Sequence, residues 1–82
     1  MNVRRVISVY EKDGEKLLSE FSVSSIPLDR LRKIIKAKDD DPELYQVYPL
    51  GAAELVAFAT LVPKMKELDS VKVELFYECF TE

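Results

Sequence analysis

The chain has 82 residues, 48% hydrophobic and 33% charged, enough for one core but not for a separate catalytic lobe, and too apolar for a disordered chain. Histidine is absent and cysteine occurs once, which excludes Ser-His and Cys-His nucleophile pairs, His-bearing metal sites and an intrachain disulfide. Net charge is −3 but uneven: residues 1–38 hold nine Lys or Arg against five acids (+4), and residues 39–82 hold three against ten (−7).

The opening "VRRVISVYEKDGEKLLSEFSV" is two β-like runs around Asp13-Gly14, a dipeptide that suits a two-residue type I′ hairpin turn because both central residues take positive φ. Such a turn sets Glu11 opposite Lys16, Tyr10 opposite Leu17, Val6 opposite Phe21 and Arg4 opposite Val23. One face then carries Val6, Tyr10, Leu17, Phe21 and Val23, while the other mixes Val3, Ile7, Val9 and Leu18 with Arg5, Glu20 and Ser22. Neither face is cleanly polar.

"SIPLDRLRKIIKAK" reads as an amphipathic helix, with Pro27 in its first turn and Ser25 as a cap. Leu28, Leu31, Ile34 and Ile35 form the apolar stripe, and Arg30, Arg32, Lys33 and Lys36 lie away from it. The helix is expected to stop at "DDDP", since Pro42 disfavours the α region at Asp41. "ELYQVY", bounded by Pro42 and Pro49, suggests a brief third strand. "GAAELVAFATLV" is apolar almost all round, so a helix there is expected to be buried on more than one side, against the sheet and against a partner or second copy. Pro63 ends or kinks it, and "KMKELDS" adds a further turn. The last strand alternates, with Val71, Val73, Leu75, Tyr77 and Cys79 on one side and Lys72, Glu74, Phe76, Glu78 and Phe80 on the other.

The order ββαβαβ predicts a single α+β domain over residues 1–82, a two-layer sandwich of an antiparallel or mixed sheet with two helices on one face. Strand order is left open. Phe76 and Phe80 fall on the nominally polar side of the last strand, so the sheet's second face is expected to be partly apolar and open to another molecule.

Cys79 shares register with Val71, Val73, Leu75 and Tyr77, and a core role is expected for it; no cationic neighbour is evident from the sequence to make a reactive thiolate. "DDDPE" lacks the alternating ligands and central glycine of a calcium loop and reads as a solvated helix stop. The basic face of the first helix has no interleaved base-reading residues and no glycine-rich loop, so nucleic acid is a disfavoured partner. The longest apolar stretch is too short to span a bilayer, and no signal-peptide pattern follows Met1, so a cytoplasmic protein with no membrane partner is expected. No cofactor, metal or catalytic residue is assigned.

The pattern "RRVISVYEKDGEKLLSEF", "IPLDRLRKII", "LYQVYPL" and "ELFYECF" resembles a family of small bacterial domains of unknown function, some of them associated with immunity proteins of contact-dependent inhibition and related toxin systems. The resemblance implies a cytoplasmic, non-enzymatic inhibitor that occludes the active site of a cognate toxin domain. The expected partner-binding residues are Asp39, Asp40, Asp41, Glu43 and Tyr45, an acidic patch suited to a basic site, with Phe76 and Phe80. The alternative is a structural homo-oligomer, such as a homodimer, or an accessory subunit of a larger complex, using the apolar segment Leu55 to Val62 with the same two phenylalanines.

Overall fold

A computed structural model describes residues 2–13 and 16–81. The elements run β1 (Val3–Glu11), β2 (Leu17–Ser22), α1 (Leu28–Ile34), β3 (Tyr48–Leu50), α2 (Ala52–Leu61), a 3-10 helix (Pro63–Glu67) and β4 (Val73–Thr81). The strands form one antiparallel sheet in the order β2-β1-β4-β3, the α+β, ββαβαβ arrangement expected from the sequence. The two longest strands lie side by side at its centre, paired from Val3 opposite Thr81 to Glu11 opposite Val73.

Pleating sorts the central strands into two faces. Ile7, Val9, Leu75 and Tyr77 point into the buried cluster, with Val73, Cys79 and Phe21 packed against it. Both helices and the 3-10 turn feed this cluster through Leu31, Leu55, Phe58, Ala59 and Met65, joined by Ile35 just past α1. The helical layer therefore covers one face of the sheet.

The hairpin departs from the simple register. Near the turn the pairing is as expected, with Tyr10 opposite Leu17 and the Glu11 N–H donating to the Lys16 carbonyl at 3.1 Å. Gly14, on which the type I′ assignment rests, lies outside the described residues. Beyond Tyr10 a β-bulge intervenes: Val9 pairs with Ser19, so Leu18 has no opposite number and each later pair slips by one. Val6 thus pairs with Ser22, and Phe21 pairs with Ile7. The slip corrects the expected faces. It moves Phe21 to the helical side with Ile7 and leaves Val6 and Tyr10 on the other.

α1 is shorter than expected, because Ile35 already has an extended backbone (φ −88°, ψ 118°) and closes the helix with its N–H on the Leu31 carbonyl. Pro27 is the N-cap residue and no side chain caps the helix, so Ser25 does not take that role. Gly51 is the N-cap of α2, and its N–H donates to the Glu54 carboxylate at 2.7 Å; glycine has no side chain to return the bond. Pro63 cannot extend the α-helical ladder, and the chain tightens into the 3-10 turn that inserts Met65, fully buried, into the cluster. Leu55, Phe58 and Ala59 are buried while Val56 is 68% exposed. Within the chain α2 is buried on one side, and the side that the sequence assigns to a partner or second copy is left exposed.

The third strand is displaced. It occupies Tyr48–Leu50 instead of Glu43–Tyr48, and residues 44–47 are loop. The cause is Asp41, which is 4% exposed. Its carboxylate accepts the Tyr45 N–H at 2.8 Å, the Gln46 N–H at 3.1 Å and the Tyr48 hydroxyl at 2.6 Å. A side chain that captures two successive backbone donors diverts them from a strand ladder. The tight path puts Leu44 at φ 56°, the left-handed region, with its side chain fully buried. The Tyr77 hydroxyl donates to the Leu44 carbonyl at 2.8 Å and locks the loop to the sheet.

Candidate interaction surface

The face of the sheet turned away from the helices carries Arg4, Val6, Ser8 and Tyr10 from β1 and Glu74, Phe76, Glu78 and Phe80 from β4, with Glu20 and Ser22 beside them on β2. Its side chains are organised among themselves. The Tyr10 and Phe76 rings meet edge to face at 5.8 Å between centroids. Arg4 sets its guanidinium 4.9 Å from the centroid of Phe80 and 4.0 Å from the Glu20 carboxylate. The Ser8 hydroxyl donates to Glu78 at 2.7 Å.

These contacts close over the middle of the face, where Val6 is 2% exposed and Ser8 fully buried, although no helix lies there. Around that sealed centre Phe80 remains 40% exposed and Phe76 and Tyr10 half-buried, among carboxylates. Phenylalanine, tyrosine and arginine are residue types enriched at protein interfaces, while glutamate is depleted there. Phe76 and Phe80 are brought together as the sequence suggested. Arg4, Tyr10, Glu20, Glu74 and Glu78 join them, and these were missed because they gather only once β1 is known to lie between β2 and β4.

The acidic loop is split by the fold. Asp39, Asp40, Glu43 and Tyr45 are exposed, whereas Asp41 is internal and spends its oxygens on the loop, so it is withdrawn from any docking surface. Burial alone would raise the Asp41 pKa, but the hydrogen bonds from Tyr48, Tyr45 and Gln46 and the charge of Lys38 outweigh it and hold the carboxyl below its ordinary 3.8. The reciprocal effect appears on Tyr48, raised by burial and by its bond to Asp41. Tyr45 is raised by a hydrogen bond to the Glu43 carboxylate. Burial pushes Tyr77 up to about 12.

Cys79 is half-buried against the core cluster, directly across from Arg5 on β1. The sequence had revealed no cation near it, since the pairing depends on strand order. Arg5 itself holds the loop, donating from Nη2 to the Glu43 carbonyl at 3.0 Å. Among the described residues, no three Cys, Asp or Glu side chains gather as metal ligands would, and no helix is long and apolar enough to cross a membrane.

On the helical side, a groove of about 550 Å³ runs between α2 and the 3-10 turn, lined mainly by Leu55, Val56, Ala59, Met65 and Leu68, with Thr60, Lys66, Asp69 and Ser70 as its polar residues.

A family model for a domain of unknown function, DUF7683, matches residues 4–78. The chain belongs to that family. The matched span runs from Arg4 in β1 to Glu78 in β4, so it takes in both helices, β2, β3 and most of β1 and β4, and ends before Phe80. No curated protein and no solved structure matches the chain.

Proposed function

We propose that the chain is a small non-enzymatic protein-binding module whose working surface is the open face of the sheet. One observation carries this reading: Tyr10, Phe76 and Phe80 stand partly exposed among charged groups over a centre that is already dry. A partner that covers them gains apolar burial without first having to desolvate the middle of the face. The narrower form is an immunity-type inhibitor that seats on a cognate toxin domain and occludes its active site, with Asp39, Asp40, Glu43 and Tyr45 as a second acidic contact. It is supported by the sequence resemblance and by the exposure of those four side chains.

The fold sets the two parts of the homo-oligomer or accessory-subunit surface, the α2 segment and the two phenylalanines, on opposite sides of the sheet, so what distinguishes that reading is the apolar groove beside exposed Val56. Parallel affinity captures separate the two. The wild-type chain, a Phe80→Ser/Glu74→Lys variant and a Val56→Lys variant are used as baits after their folds are matched by amide spectra. The open-face reading expects a protein retained by wild type and by Val56→Lys but lost from the double variant. Loss from Val56→Lys alone overturns it in favour of the groove. For the inhibitor form, the captured protein must carry an activity that the wild-type chain suppresses.

A further inference from the structure

We draw no further inference here: the strongest candidate, the apolar groove between α2 and the 3-10 turn beside exposed Val56, carries nothing because nothing in the structure shows what covers it.

Discussion

Asp41 shows how one side chain redirects a segment. In the sequence it belongs to an acidic run that resembles a wet helix stop, yet in the fold it anchors two backbone donors and a tyrosine hydroxyl while nearly excluded from water. Asparagine offers one acceptor oxygen in place of two, so Asp41→Asn should cost about 2 kcal/mol in urea unfolding at neutral pH. Asp40→Asn, at an exposed position, should cost almost nothing. The pH dependence has a definite sign. The folded pKa of Asp41 is below the ordinary 3.8, so its contribution is complete above that value and drains away as pH falls through the folded pKa. The gap between wild type and Asp41→Asn should therefore narrow on acidification and stay constant from mildly acidic to neutral pH. Leu44, next in the loop, gives a second residue-scale test. Leu44→Ala should lose about 3 kcal/mol of core packing. Leu44→Gly loses the same side chain but relaxes a backbone at φ 56° and should be no less stable than the alanine variant, by chemical denaturation of both.

The contrast between the two sides of α2 belongs to the element scale. Phe58→Ala, at a fully buried position, should destabilise by about 4 kcal/mol, whereas Val56→Lys, 68% exposed, should stay within about 0.5 kcal/mol of wild type in thermal unfolding. A large cost at Val56 would mean that the helix is covered on a second side after all. Composition could not reveal this asymmetry, because Val56 and Phe58 are both apolar and differ only in which way they face. By contrast, α1 was legible because its charged residues mark the wet side, and β4 was legible because Leu75, Tyr77 and Cys79 alternate with Glu74, Phe76 and Glu78. Hairpin register was legible for the pairs next to the turn and lost at Leu18, since a single unpaired residue reverses every face assignment beyond it. The third strand was misplaced for a local reason. "ELYQVY" has strand-like side chains, but its backbone donors are claimed by an aspartate upstream.

At the scale of the molecule, the proposed binding surface depends on which strands are neighbours. Phe76 and Phe80 could be singled out from one strand's alternation, but the surface they form needs β1 at the centre of the sheet, which brings Arg4, Tyr10 and Ser8 beside them. Strand order arises from long-range pairing and leaves no mark on local periodicity, so most of the candidate site was invisible until the fold was known. The same pairing leaves one layer of helices on one face and a self-organised skin of rings and carboxylates on the other. The most direct measurement is the aromatic spectrum of the labelled chain, free and in its isolated complex. The account predicts that the signals of Tyr10, Phe76 and Phe80 move on binding while those of buried Phe58 and Tyr77 hold still. Movement at the acidic loop or along the α2 groove, with those three rings unchanged, would contradict it.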